Sequence, residues 1–174
     1  MRLFHARGYD AVGVAELGAG LGITPPSFYA AFGSKAGLFS RVLKRYVESE
    51  ANIFARAQAD GGTVAETIDR MFAHAARLYV AHDGVAGCLV LDGTRNSADP
   101  EARALGAATR QANRAVIRDL IATEYPACAE ALTDLVVIAL AGMSAAARDG
   151  AGKASLNRFA ASMRRAFRRE AGLV

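Results

Sequence analysis

The chain has 174 residues, of which 52% are apolar and none is tryptophan, and its formal net charge at pH 7 is +4. That length allows one or two domains with a substantial core, and so small a net charge does not by itself indicate a nucleic-acid partner. The two cysteines, Cys88 and Cys128, lie far apart in apolar surroundings, which excludes a disulfide framework and a CxxC metal motif and fits a reducing cytoplasm.

The chain opens on the end of one helix and continues into a second. Met1 to Arg7 is typical of a last helical segment, closed by Gly8. Val14, Leu17 and Leu21 then place apolar groups on one face of the second helix. The first helix is therefore expected to be short.

A tight turn and a third helix follow. Gly22 interrupts the apolar pattern and can adopt a positive φ angle, so the chain can turn sharply there. Thr24 is a good N-cap, and Pro25 and Pro26 suit the first helical turn, where a missing N–H costs nothing. Two phenylalanines four residues apart give this helix one buried face. Two helices joined by a glycine-containing turn form a helix-turn-helix, whose second helix can enter a DNA major groove.

The motif residues also resemble a known family. Phe4, the GY pair at residues 8–9, Val14, Glu16 and Leu17, and the run GITPPSFYAAFGSKAGLF ending at Phe39 closely resemble the N-terminal domain of the TetR/AcrR (tetracycline-repressor-like) family. The resemblance implies an all-α homodimeric repressor. It predicts a tri-helical helix-turn-helix domain with a shortened first helix at residues 1–45, and a helical effector-binding and dimerisation domain at residues 46–174.

The sequence departs from that family at its start. Relatives have a longer first helix preceded by an often basic arm, and a Thr and Ser that cap the second helix and touch phosphate. Val12 and Gly13 stand in their place and carry no hydroxyl, although glycine is an acceptable N-cap. Three explanations of the short first helix are open: the start codon was placed too late, the chain is a fragment, or the protein lacks that helix. The alternative function is a helical homodimer that binds a ligand or a protein and has lost DNA binding.

Seven residues are the candidate contacts to a double-stranded DNA operator. Ser34 is an N-cap with Lys35 at the first helical position, and a helix N-terminus with a lysine is a ready phosphate site. We interpret Arg41, Lys44 and Arg45 further along as a solvated face. Specificity is expected from thymine methyls and DNA shape, because the base-edge candidates include no Arg, Asn or Gln. The phosphate candidates are Thr24, Tyr29, Ser34 and Lys35, and the base-edge candidates are Pro25, Pro26 and Ser27.

Helices are predicted for most of the remaining chain. The fourth is expected to continue to about Ala59. The later ones run from a Thr63 cap to about His82, from Asp99 to about Tyr125, from Ala129 to Arg148, and along an apolar stripe from Leu156 to Phe167 with arginines opposite.

The last two helices are candidates for a homodimer interface. Both carry apolar stripes, and pairing with their symmetry mates would make a four-helix interface and require a palindromic operator. Both stripes could also be satisfied within one chain. The interface candidates are Leu135, Ala139, Met143, Leu156, Phe159, Met163 and Phe167.

A small hydrophobic effector is expected among the helices from Val64 to Ala122. The segment VAGCLVLDGTRN resembles the GCL element of one TetR-like subgroup, in which the cysteine can sense electrophiles or oxidants. Here Cys88 has no nearby cation to lower its pKa, so a small buried hydrophobe is the favoured interpretation. The effector candidates are Tyr79, His82, Cys88, Thr94 and Asn113.

The sequence predicts no enzyme, cofactor, metal or membrane segment. No nucleophile has an obvious base partner, and the two histidines on one stripe, His74 and His82, are eight residues apart, whereas metal-binding pairs are usually three or four apart. No apolar run approaches the roughly 18 residues of a membrane span, and no signal peptide opens the chain. The protein is expected in the cytoplasm.

Overall fold

The structure is a computed structural model that describes residues 1–49, 51–80 and 84–173, and over those residues all regular structure is helical. The predicted all-α class is therefore confirmed. A 3₁₀ turn at Pro126–Cys128 separates the eighth and ninth α-helices. The α-helices are α1 Arg2–Arg7, α2 Val14–Leu21, α3 Pro25–Phe32, α4 Lys35–Val47, α5 Ile53–Ala59, α6 Val64–Leu78, α7 Leu89–Asp92, α8 Pro100–Glu124, α9 Ala129–Arg148 and α10 Lys153–Glu170.

Capping contacts place the helix starts where the sequence predicts them. Ser34 Oγ accepts the Gly37 N–H at 2.9 Å at the start of α4. Thr63 and Glu66 form a reciprocal capping box at the start of α6. The Asp99 carboxylate accepts two backbone N–H groups of the first turn of α8. Each cap satisfies donors that have no partner within the helix.

The predicted continuation of α4 to Ala59 is wrong, since α4 ends at Val47. Ser49 Oγ donates to the Tyr46 carbonyl at 2.6 Å, and Asn52 Nδ2 donates to the Val47 carbonyl at 2.7 Å. The Asn52 side-chain oxygen also accepts two N–H groups of α5. Short polar side chains that bond the backbone in this way compete with helix continuation, so the chain breaks into two helices here.

Four of the predicted dimer-interface residues lie in the core of the chain itself. Met143, Leu156 and Phe167 are at most 2% exposed, and Ala139 is also buried. They face inward because α10 packs against both α6 and α9. Their assignment to a partner surface is therefore wrong. The other three candidates are half-buried or exposed and are Leu135, Phe159 and Met163.

Two arginines of α10 hold that helix to α6. Arg164 Nε lies 3.3 Å and Arg168 Nη2 2.7 Å from the two carboxylate oxygens of Asp69, which is buried. The arginine-bearing face of α10, opposite its apolar stripe, is thus partly an ion-pair surface.

One helical segment among the described residues, Pro126–Arg148, is long and apolar enough to cross a membrane, with a mean hydropathy of 1.6. The sequence-based expectation that no apolar run approaches the length of a membrane span is therefore wrong, as judged by length and composition. A core helix of a water-soluble protein passes the same test, and α9 packs against α6, α8 and α10.

Candidate nucleic-acid interface and effector cavity

The turn between α2 and α3 has the predicted geometry. Gly22 adopts a left-handed conformation with φ 68° and ψ 28°, which a side chain disfavours. The Ile23 N–H donates back to the Gly18 carbonyl at 3.0 Å, which closes the C-terminal end of α2. Thr24 Oγ1 lies 3.5 Å from the Ser27 backbone nitrogen and 3.0 Å from Ser27 Oγ, so the cap fixes the start of α3.

The outer side of α3 presents an uncharged polar and apolar surface. Phe28 is fully buried and packs on Phe32 with ring centroids 5.1 Å apart. The helix sequence PPSFYAAF contains no charged residue. Five predicted DNA contacts lie exposed on this surface, Thr24, Pro25, Pro26, Ser27 and Tyr29.

The other two predicted contacts lie at the start of α4. Ser34 is half-buried, and its hydroxyl can still donate a hydrogen bond to a phosphate while its oxygen accepts the Gly37 N–H. Lys35 Nζ lies 4.1 Å from the centroid of the Tyr9 ring. Burial lowers the pKa of Lys35, while the carboxylates of Asp10 and Asp99 oppose this shift. The ammonium is therefore held in place over an aromatic ring.

The junction between α3 and α4 has no room for a side chain. A Cβ atom on Gly37 would lie 2.1 Å from the Phe32 carbonyl oxygen. Arg41 Nη2 donates to the Ala31 carbonyl at 3.1 Å, and the guanidinium lies over the Phe32 ring. Arg41 thus braces the end of α3 and is not purely solvated. The sequence pattern shows neither the close contact at Gly37 nor the bracing by Arg41.

The loop between α1 and α2 is hydrogen-bonded to the segment between α7 and α8. The Tyr9 N–H donates to the Gly93 carbonyl at 2.7 Å, and the Tyr9 hydroxyl donates to Asp99 at 2.9 Å. The Asp10 carboxylate accepts from Ser97 Oγ at 2.5 Å and from the following backbone N–H at 2.7 Å. These contacts join residues 9 and 10 to the segment that precedes α8.

A buried carboxylate extends this joint to α9. Asp92, whose side chain is 4% exposed, accepts from Ser144 Oγ at 2.5 Å and from Arg148 Nε at 2.9 Å. Arg148 also donates to the His5 carbonyl at 2.8 Å, and Ser144 Oγ accepts the Cys88 N–H at 2.7 Å. Sequence reasoning missed this network; the one signal for it is an acidic residue within an otherwise apolar run.

A cavity of about 270 Å³ lies among α4, α5, α6, α7, α8 and α9. Tyr46, Tyr79 and Cys88 line it from α4 and from the chain around α6 and α7, and all three are buried. Burial raises the pKa of the Cys88 thiol, which favours the neutral form and agrees with its interpretation as a small hydrophobe.

Three of the five predicted effector residues line this cavity, namely Tyr79, Cys88 and Asn113. Thr94 does not, since it is buried with its hydroxyl 3.4 Å from Arg110 Nη1. His82 lies outside the described residues. The predicted location of the effector site, between Val64 and Ala122, also omitted the cavity walls that α4, α5 and α9 contribute. Local sequence patterns do not indicate which helices from distant parts of the chain pack together.

No group of three potential metal ligands occurs among the residues that the structure describes. His74 lies beside Arg77, with 3.1 Å between Nδ1 and Nη2. Burial and, secondly, this arginine lower the pKa of His74.

Residues 1–42 match the family described as bacterial regulatory proteins, tetR family. The chain is 47% identical over 148 residues to the HTH-type transcriptional repressor BdcR of Escherichia coli (strain K12), covering 85% of this chain and 75% of that protein. It is 33% identical over 97 residues to the HTH-type transcriptional repressor ComR of the same organism, covering 53% of this chain and 44% of that protein.

Solved structures with the same fold include one with DNA. A cysteine mutant of the TetR family transcriptional regulator CifR, complexed with 26-bp double-strand operator DNA, is 27% identical with a TM-score of 0.79, covering 95% of this chain and 90% of that chain. SCO4454, a TetR-family transcriptional regulator from Streptomyces coelicolor, has a TM-score of 0.81 at 19% identity, covering 98% of this chain and 90% of that chain.

Proposed function

Since the chain belongs to the TetR family and is a DNA-binding transcriptional repressor rather than an enzyme, we propose that it grips a palindromic operator as a homodimer and is released by a small apolar effector. The observation that carries this proposal is one continuous set of contacts from the effector cavity to the helix-turn-helix. As a regulator that acts on DNA, the protein is expected to work in the cytoplasm.

The exposed face of α3 is the surface that enters the major groove. In a dimer, two such helices reach successive major grooves about one helical turn, roughly 34 Å, apart. An uncharged α3 makes apolar contact with thymine methyls and follows groove shape. Phosphate contacts at the start of α4 then fix the orientation of the protein on the duplex.

Release works through α7. Cys88, Val90 and Leu91 line the cavity. The next two residues bond elsewhere: Asp92 to α9, and Gly93 to the loop between α1 and α2. A ligand that displaces α7 therefore also displaces the acceptors that hold the helix-turn-helix. Such a ligand binds the released conformer better and shifts the population away from the operator-bound form.

The dimer surface is the outward stripe of α9 together with the exposed apolar residues of α10. Ile138 on α9 is 69% exposed and Phe159 on α10 is 40% exposed, and the nearby Gly142 permits close helix approach. Leu135 and Met163, predicted from the sequence, are half-buried and remain available to a partner. Covering this surface with a second copy removes large apolar side chains from water.

Replacing Ile138 with aspartate is expected to weaken the dimer at least about 30-fold, since an unpaired charge at the centre of an apolar interface costs about 2 kcal/mol or more. Size-exclusion chromatography with light scattering measures the change. Leu173→Asp is the matched control, because Leu173 is 46% exposed but lies beyond α10. Equal dimer stability in the two variants would remove α9 from the interface.

The proposed function is tested by fluorescence anisotropy or gel retardation of the intergenic DNA that flanks the gene, at two salt concentrations. Retardation that a specific competitor removes and that weakens at high salt is the expected result. Two chains per palindromic footprint support the dimer. Equal affinity for unrelated DNA of the same length would contradict operator recognition.

Replacing Lys35 with alanine is expected to weaken binding to all DNA sequences alike and to flatten the dependence of log K on log salt. Each lost phosphate contact contributes a slope of about 0.9, hence about two for a dimer. Lys35→Arg should restore much of the slope. Lys44→Ala is the control, since Lys44 is exposed on α4 and only 4.0 Å from Glu48. An unchanged slope for Lys35→Ala would exclude this contact.

A further inference from the structure

We propose that the effector is a small apolar carboxylic acid and that Arg110 binds its carboxylate. The proposal rests on the effector cavity described above and adds the charge and size class of the ligand. It follows from the charges on the cavity wall, from the free edge of one guanidinium and from the cavity volume.

The cavity wall carries positive charge and no described carboxylate. Its charged lining residues are Arg110 and Arg114, both on α8. Arg114 is neutralised by α9, with 3.0 Å to Glu130 and 2.6 Å to Asp134. Among the residues that the structure describes, no carboxylate pairs with Arg110. A half-buried cation against an apolar cavity is unfavourable without a counter-ion, so the cavity favours an anion.

The Arg110 side chain is held by one nitrogen only. Nη1 lies 3.3 Å from the Val90 carbonyl and 3.4 Å from Thr94 Oγ1. It occupies space that Gly106 leaves open, since a Cβ there would lie 3.1 Å from Nη1. The structure gives Nε and Nη2 no acceptor among its described residues. These two nitrogens form the edge of the guanidinium that binds a carboxylate through two parallel hydrogen bonds.

The position of Arg110 orients the ligand. Asn113 and Val116, one turn and nearly two turns further along α8, are exposed and also line the cavity, so the α8 wall is its solvent side. The rings of Tyr46 and Tyr79 also line the cavity and are buried away from solvent. The carboxylate therefore lies at α8, near water, and the apolar body extends towards the two tyrosines.

The volume limits that body to one ring or a short chain. A dry engineered cavity of about 150 Å³ accommodates benzene, and this cavity measures about 270 Å³. The remaining lining residues are mainly apolar, among them Phe54, Met71, Ile117 and Leu140. A monoanion with an aromatic or short aliphatic body fits this volume.

Calorimetry with matched acids and amides tests the proposal on the full chain. The probes are phenylacetate and hexanoate, with phenylacetamide and hexanamide as neutral counterparts of the same shape. We expect each acid to bind at least tenfold more tightly than its amide. Arg110→Gln should weaken acid binding about 10- to 100-fold, the range of a charge-assisted hydrogen bond, and change amide binding by less than about threefold.

Two further variants separate binding from folding. Arg110→Lys keeps the charge but loses the planar fork, and its acid affinity should be intermediate. Arg118→Gln is the matched control, since Arg118 is exposed on the same helix and pairs with Asp119 at 2.6 Å. It should bind all four probes as the wild type does.

Operator affinity, measured with and without each probe in the same variant, distinguishes the two proposals. Acids that bind in calorimetry but leave operator affinity unchanged would contradict effector release and keep the Arg110 site. Amides that bind and release DNA as well as the acids do would overturn the Arg110 proposal and keep effector release. Failure of both acids to bind at about 10 mM, well above a weak Kd of about 1 mM, would also overturn the Arg110 proposal.

Discussion

Gly37→Ala is expected to lower the free energy of unfolding by up to about 2 kcal/mol and to weaken operator binding at least tenfold. Forcing an extra group into a packed site costs about 1–3 kcal/mol, of which the better helix propensity of alanine offsets about 1 kcal/mol. The added Cβ meets the Phe32 carbonyl oxygen at 2.1 Å, whereas an ordinary contact begins at 3.4 Å, so the two helices must separate by about 1.3 Å.

The loss of affinity follows from where Gly37 lies. It joins α4 to the end of α3, and the Ser34 cap uses its N–H. A shift at this junction therefore moves the outer face of α3 relative to Lys35. The two surfaces that we propose to contact one duplex then no longer fit it together.

Gly20→Ala is the matched control. Gly20 lies in α2, and a Cβ there would meet no atom within 4 Å. This variant should be more stable by up to about 1 kcal/mol. Thermal unfolding and operator anisotropy measure both variants. If Gly37→Ala were as stable as Gly20→Ala and bound the operator normally, the close approach of α3 and α4 would not matter for DNA binding.

Asp92→Ala is expected to destabilise the protein by about 3 kcal/mol and to reduce operator affinity. Removing one partner of a buried ion pair leaves the other uncompensated, which typically costs about 3–5 kcal/mol. We expect the lower end because Arg148 is 26% exposed. Ser144 also loses its acceptor, and Arg148 loses the contact that aims it at the His5 carbonyl. Arg95 Nη2 also lies 3.1 Å from Asp92, but because Arg95 is exposed, the loss of this ion pair adds little to the destabilisation.

Urea unfolding gives the stability change, and operator anisotropy gives the DNA effect. Asp119→Ala is the control, since that carboxylate is exposed and, among the residues that the structure describes, pairs only with its neighbour Arg118. This variant should lie within about 0.5 kcal/mol of the wild type. The loss of folded protein by itself lowers the apparent operator affinity. If the affinity falls no further than that, the proposed role of Asp92 in coupling the cavity to the helix-turn-helix is contradicted.

Local signals predicted the helix-turn-helix well. The Thr24 and Ser34 caps, the left-handed Gly22 and the buried face of α3 all depend on residues within four positions along the chain. The break after Val47 was missed for a related reason. Ser49 and Asn52 are ordinary helix residues until their side chains bond the preceding carbonyls.

The cavity that we propose to bind an effector was only partly predictable. Tyr79, Cys88 and Asn113 were selected as polar or reactive groups within apolar helices, and they do line the cavity. Arg110 was not selected, since arginines on a helix are usually solvated and its role depends on Arg114 being neutralised by α9. Thr94 was selected, but the packing of α8 buries it behind Arg110.

The sequence by itself determined the all-α class, the starts of α3, α4, α6 and α8, the turn at Gly22 and the family, because each depends on groups close together in the chain. Only the tertiary structure decided which apolar stripe faces inward. Met143 and Phe167 have the spacing of an interface yet are buried in the core, whereas Ile138 is left exposed. A spacing of three or four residues shows that a helix has an apolar face. It does not show whether the chain itself or a second copy covers that face, since this depends on helices that pack from distant positions in the sequence.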